Sequence, residues 1–243
     1  GPNRVVGIQT PLSGHPIQRT AKLGFRGALA SRILAIVARC ASGAKEPLLP
    51  VYSTGLLAWA KSHTETARAV VEAWLSGETA RSLDIHERIV AEWPRDLLSA
   101  KVGQLHAINR GDAEALLRIG ETAIAANRDN HYVWAMYAFG LEECNRLDEA
   151  EAAARKAIAM ERCDPWAHHA LAHCLEARGR LLEGVAFLES VSDTWGRCNS
   201  FMYTHNWWHL ALFLIDLDRT DEALALFDKR VWGVWKEFCE DQI

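Results

Sequence analysis

The sequence predicts an all-α protein in which antiparallel helix–turn–helix pairs stack into a solenoid. Three observations carry this expectation. Apolar residues make up 49% of the 243 positions, enough for a continuous core; alanine and leucine dominate them and β-branched runs are rare, which favours helix over strand. A phrase also recurs at fixed spacing: Asn145-Arg-Leu-Asp-Glu-Ala150 returns 34 residues later as Gly179-Arg-Leu-Leu-Glu-Gly184. Finally, large–small pairs fall at matching places ahead of each phrase, as Tyr137-Ala138, Leu171-Ala172 and Leu210-Ala211.

A period of 34 residues with one turn per unit is the signature of the tetratricopeptide repeat, or TPR. In such a unit the small residue lets the two helices of a pair approach closely. Trp134, Tyr137-Ala138 and Leu141 fill the first helix of one unit; His168, Leu171-Ala172 and Leu175 fill the next; Trp207, Leu210-Ala211 and Leu214 fill the last. Ala150, Gly184 and Ala223 open the second helices at their crowded point. The last copy of the phrase, Asp218-Arg-Thr-Asp-Glu-Ala223, comes five residues late. The extra residues are expected in a longer loop within 192–204 that holds Trp195 and Cys198.

Upstream the pattern thins. Residues 96–128 form a weaker unit with Val102-Gly103 as its large–small pair and Ala115 at the crowded point. Residues 62–92 read as helices broken near Gly77 and ended before Pro94. The repeats are thus expected over 62–230. Before them, 25–61 comprises one amphipathic helix with Phe25, Leu29, Ile33 and Val37 on a face, followed by a linker with Gly43, Pro47 and Pro50. Residues 1–24 are expected to be irregular. Residues 231–243, rich in large apolar side chains, are expected to cap the last repeat or to pair with a second copy, giving a homodimer.

Composition excludes several functions. A net charge of −4 and a pI near 6.2 supply no basic face for nucleic acid. The longest apolar stretch, Leu34 to Val37, lies between Arg32 and Arg39 and is too short to span a bilayer. Six cysteines without a C-x-x-C pair suit reduced core thiols in a cytoplasmic protein.

The chemistry concentrates on two His-x-x-x-His motifs, His169/His173 and His205/His209. A spacing of four places both rings on one helical face. The repeat register puts His169, His173, Glu176 and His205 on the concave groove, with His209 a turn further along, and assigns His168 to the core. One reading is a divalent-metal site, zinc above all, held by His169, His173, His205 and His209. If only three of them bound, an open position would allow an activated water and hydrolase chemistry. A second reading needs no metal: the histidines and the walls of Trp166 and Trp208 bind an organic ligand, with Asn206 and Glu176 beside them. A third is packing alone. Glu142 and Glu143, at neighbouring groove positions, favour a cation.

The segments Asp164-Pro-Trp-Ala-His-His-Ala-Leu-Ala-His173-Cys-Leu-Glu176 and Thr204-His-Asn-Trp-Trp-His209-Leu-Ala-Leu-Phe213 resemble the tetratricopeptide repeat protein 38 family. So does Ile89-Val-Ala-Glu-Trp-Pro-Arg-Asp-Leu97. The resemblance spans roughly residues 60–230 and maps His169, His173, Glu176, His205, Asn206 and His209 onto the family's motif positions. It implies the repeat fold and brings no activity. Members of that family carry a further helical region after the segment equivalent to Asp228, so a shortened member or a fragment is expected. The sequence thus predicts a scaffold whose groove binds a peptide, a protein or a small molecule. The alternative it leaves is a zinc-type enzyme using the same histidines.

Overall fold

A computed structural model of the chain describes residues 64–232, and every regular element among them is a helix. The expected segments 1–24 and 25–61, and all but the first two residues of 231–243, lie outside the described residues. The chain divides into two compact units, 1–82 and 83–243, with the division inside a helix. In the first unit, α1 (Thr64–Leu75) ends at a turn with Gly77 at φ 75°, and α2 (Thr79–Glu92) begins.

The second unit takes the rest of α2 and four helix pairs. They are α3 (Leu97–Arg110) with α4 (Ala113–Ala126), α5 (His131–Glu143) with α6 (Leu147–Met160), α7 (Pro165–Ala177) with α8 (Leu181–Val191), and α9 (Ser200–Asp216) with α10 (Thr220–Arg230). Each first helix starts at a side-chain cap that accepts an otherwise unpaired backbone N–H. Asp96, Asn130, Asp164 and Asn199 do this for α3, α5, α7 and α9. Pro165 follows Asp164 at the first helical position, where a missing N–H costs nothing.

The turns within pairs repeat their geometry. Gly111, Asn145, Gly179 and Asp218 all have φ between 59° and 69°, the left-handed conformation that Gly, Asn and Asp adopt most readily. Three of these turns are followed by an Arg–Glu pair three apart: Arg146–Glu149, Arg180–Glu183 and Arg219–Glu222. Those pairs are solvent-exposed, where water and salt screen them and they add little to stability. They mark the register more than they hold it.

Two large apolar clusters run along this unit, with a smaller one of Ala135, Ala157 and Ala167. One joins Leu83, Val90, Ala100, Leu116, Ile119, Val133 and Met136; the other joins Leu141, Ala154, Leu171, Leu175, Leu188, Trp195, Phe213 and Leu214. Between pairs, Gln104 donates from Nε2 to the carbonyls of Leu116 and Met136, 3.0 Å each, tying α3, α4 and α5 together. Close approach depends on small residues. A Cβ on Gly184 of α8 would stand 2.3 Å from the Phe213 ring of α9.

The five late residues do not form an open loop. Ser192–Arg197 is a 3₁₀ turn, and Trp195 within it is fully buried. Its Nε1 donates to His168 Nδ1 at 3.1 Å, while His168 Nε2 donates to the Arg162 carbonyl at 2.8 Å. Trp195 also meets Trp207 of α9 edge to face at 4.8 Å. The insertion thereby becomes a wedge between α7 and α9, and His168 lies in the core where the repeat register assigns it.

Gly184→Ala should destabilise the protein by about 1–3 kcal/mol through overpacking against Phe213. Thermal unfolding should then show a drop of roughly 2–4 °C for each kcal/mol lost. An unchanged melting temperature would contradict this account of the α8–α9 contact.

A four-histidine cluster between adjacent repeats

The helical spacing and the wedge together bring the two histidine pairs into contact. α7 supplies His169 and His173, one turn apart; α9 supplies His205 and His209 in the same way. His173 Nε2 lies 3.0 Å from His169 Nε2, which lies 3.0 Å from His205 Nε2, which lies 3.3 Å from His209 Nε2. Ligand nitrogens of all four rings fall within 4.8 Å of one another. His169 and His209 are buried, at 4% and 1% exposure, and His173 and His205 are half-buried.

His209 explains why the cluster sits so deep. The register that pairs Leu171-Ala172 with Leu210-Ala211 aligns His209 with Ala170, which is fully buried. An imidazole thus occupies a position where α7 turns a methyl group to the interior. His205 aligns in the same way with Trp166, on the groove.

Aromatic rings enclose the cluster. His205 is stacked between Phe201 at 5.1 Å and Trp208 at 5.4 Å. Trp166 meets His169 edge-on at 5.8 Å, and Phe139 of α5 touches both His169 and His173. Carboxylates stand behind two of the rings. Glu142 Oε2 is 3.4 Å from His173 Nδ1, and Glu176 Oε2 is 3.8 Å from His209 Nδ1, both ion-pair approaches longer than a hydrogen bond. Glu142, Glu143 and His173 form a second group of converging ligand atoms on that side.

Burial sets the charge of the cluster. Desolvation, reinforced by the neighbouring imidazoles, depresses His169 well below the usual histidine value and takes His205 and His209 to about 3. His173 is the exception: burial lowers it, but Glu142, Glu143 and Glu176 outweigh that and raise it overall. Three rings are therefore neutral at physiological pH, each with a lone pair.

Hydrogen bonding among the rings does not satisfy this arrangement. An imidazole nitrogen has one in-plane direction, filled by either a proton or a lone pair. His169 Nε2 and His205 Nε2 each face two neighbours, so at most two of the three contacts can be hydrogen bonds. The Nδ1 atoms of His169 and His209 are also buried without a hydrogen-bond partner. A cation at the centre would engage all four lone pairs at once.

The remaining residues expected at the site divide. Trp166, Trp208 and Glu176 stand around the cluster as described. Asn206 is fully buried and donates from Nδ2 to the Pro165 carbonyl at 3.3 Å, a link between α9 and the start of α7. Phe139 and Phe201, which contact the rings, do not stand out in the sequence. Phe201 was discoverable as the residue one turn before His205. Among the described residues Cys144, Cys163, Cys174 and Cys198 are free thiols, and no helix is long and apolar enough to cross a membrane.

No family model matches this chain. Among solved structures it is similar to TTC0263, a thermophilic TPR protein of Thermus thermophilus. The identity is 17% over 72% of this chain and 93% of that one, with a TM-score of 0.57. It is also similar to the MamA protein, at 11% identity over 70% of this chain and 90% of that one, with a TM-score of 0.50. At these identities the likeness shows the fold, an all-α TPR-type solenoid.

The depressed histidines give a signed pH dependence. Their folded-state affinities for protons lie below the ordinary value of 6.5, so no penalty exists above it. Below it the unfolded chain takes up protons that the folded one refuses, and stability falls. His173, raised, acts in the opposite sense, and three rings outweigh one. Chelator-treated protein should therefore melt at a lower temperature at about pH 5 than at about pH 7.5. A higher melting temperature at pH 5 would contradict the buried, neutral assignment.

Proposed function

We propose that this protein is a TPR-type scaffold carrying a transition-metal centre, with zinc held by His169, His173, His205 and His209. One observation carries the reading: four imidazoles from two helices of adjacent repeats bring their Nε2 atoms into successive contact, with a ligand nitrogen of each ring within 4.8 Å of the others. Zinc–imidazole bonds of about 2.0–2.1 Å in a tetrahedron put neighbouring nitrogens about 3.3–3.4 Å apart. Three of the six separations, 3.0, 3.0 and 3.3 Å, come close to that edge.

Chemistry supports the same choice. Neutral imidazoles are the ligand form of histidine, and a nitrogen-only tetrahedral set suits zinc. Glu142 and Glu176 stand 3.4 and 3.8 Å from Nδ1 of His173 and His209, on the side from which outer carboxylates orient a metal-bound imidazole. With Glu143 they also supply negative charge to offset the two positive charges of the ion.

Four protein ligands close a tetrahedral site and leave no position for a water. That favours a structural or metal-responsive role over hydrolysis. A bound ion would cross-link α7 to α9 on the concave side, opposite the Trp195 wedge. The groove lined by Tyr132, Trp166, Phe201 and Trp208 is then a surface whose shape depends on metal, and we assign it to a peptide or protein partner. Two of the three segments that resemble the tetratricopeptide repeat protein 38 family lie in the helices that supply the ligands.

Untagged protein should contain about one zinc per chain by elemental analysis. His169→Ala and His209→Ala should lose that zinc while remaining helical. Glu142→Gln should keep it with roughly 10–100-fold weaker affinity. Absence of zinc in the native protein, together with no uptake from solution, would end the metal reading. Retention of full affinity by both alanine variants would do the same.

A further inference from the structure

The four-histidine cluster engages Nε2 of His173 and leaves the opposite edge of that ring to α5. There Glu142 Oε2 lies 3.4 Å from His173 Nδ1. Glu143 joins them: one ligand atom from each of Glu142, Glu143 and His173 falls within 4.8 Å of the other two. All three side chains are half-buried, so an ion among them would be shielded from bulk water and still reachable from it.

Three observations turn this set toward a cation. Glu142 Oε2 is buried without a hydrogen-bond partner, and its approach to His173 is too long to serve as one. No lysine or arginine among the described residues pairs with Glu142 or Glu143, so the two carboxylates face each other with only a histidine between them. Both also stand in the last turn of α5, which carries no basic residue. The negative end of the helix dipole lies there, so it opposes the carboxylates and would attract a cation placed among them. Two carboxylate oxygens and one imidazole nitrogen suit a borderline divalent metal such as zinc.

We propose that Glu142, Glu143 and Nδ1 of His173 form a second site for a divalent transition metal, joined to the four-histidine centre through the His173 ring. The inference rests on the zinc reading of the four histidines. With an ion on Nε2, the His173 ring loses electron density and its Nδ1–H becomes more acidic. At the second site that N–H bond breaks, the proton leaves to solvent, and the electron pair left on Nδ1 is donated to the second ion. The two nitrogens of one ring point apart, so a single imidazole holds the ions side by side without contact. Three protein ligands leave a position for water, which the closed four-nitrogen site lacks. With fewer ligands and a proton to displace, the second site binds more weakly and fills after the first.

The test uses the untagged full chain, stripped with chelator and titrated with zinc chloride, with bound ions counted by native mass spectrometry. Two zinc ions per chain are expected, taken up in separate steps. Glu143→Gln keeps the shape of the side chain and removes its charge. It should still bind the first zinc and should weaken the second step by on the order of tenfold or more, with its helical circular dichroism retained. Calorimetry in buffers of different ionisation enthalpy should show a proton released with the second ion. A single zinc per native chain at saturation would overturn this proposal and leave the four-histidine centre standing, whereas no zinc at all would end both. A second zinc bound equally well by Glu143→Gln would lie elsewhere and would also overturn it.

Discussion

The contact on which the site depends is the one between α7 and α9. Those helices belong to adjacent repeats, and a five-residue insertion separates them in sequence. Left loose, it would free α9 to slide or rotate against α7. Trp195 prevents this by filling the interior between them and donating to His168, whose other nitrogen is committed to the Arg162 carbonyl. Both nitrogens of that imidazole are thereby assigned. Gly184 lets the Phe213 ring press onto α8 from the neighbouring helix. With the register locked on the core side, the four rings on the concave side have little freedom to part.

That rigidity gives the histidine cluster its meaning. Neutral imidazoles can pack in a core, as His168 does, when each nitrogen finds a partner. The four-ring cluster does not reach that state. Its three Nε2 contacts exceed what single protons can serve, and burying unpaired polar atoms carries a cost. A divalent cation converts the same lone pairs into bonds. The acidic side chains behind His173 and His209 would hold those rings with Nε2 inward. The cluster is thus better suited to a cation than to an empty interior.

Much of this was legible in the sequence, for identifiable reasons. The pairs at 145 and 179, and the late copy at 218, gave the repeat because turn chemistry and ion pairs recur with it. The i,i+4 spacing gave two histidines per face, and the register put His169 and His205 on neighbouring groove surfaces. What escaped was set by rotation and depth. The deep burial of His209 follows from its alignment with the buried Ala170 together with the packing of α9 on α7. Asn206, expected beside a ligand, instead joins α9 to the Pro165 carbonyl. The insertion reads as a loop in the sequence, since nothing in Ser-Asp-Thr-Trp-Gly-Arg announces that its tryptophan is a core residue.

X-ray absorption at the zinc edge of the reconstituted protein tests the central claim most directly. Four nitrogen neighbours at about 2.0–2.1 Å are expected, with the outer-shell scattering of imidazole rings. A six-coordinate spectrum dominated by oxygen, or one containing sulfur, would contradict the four-histidine centre.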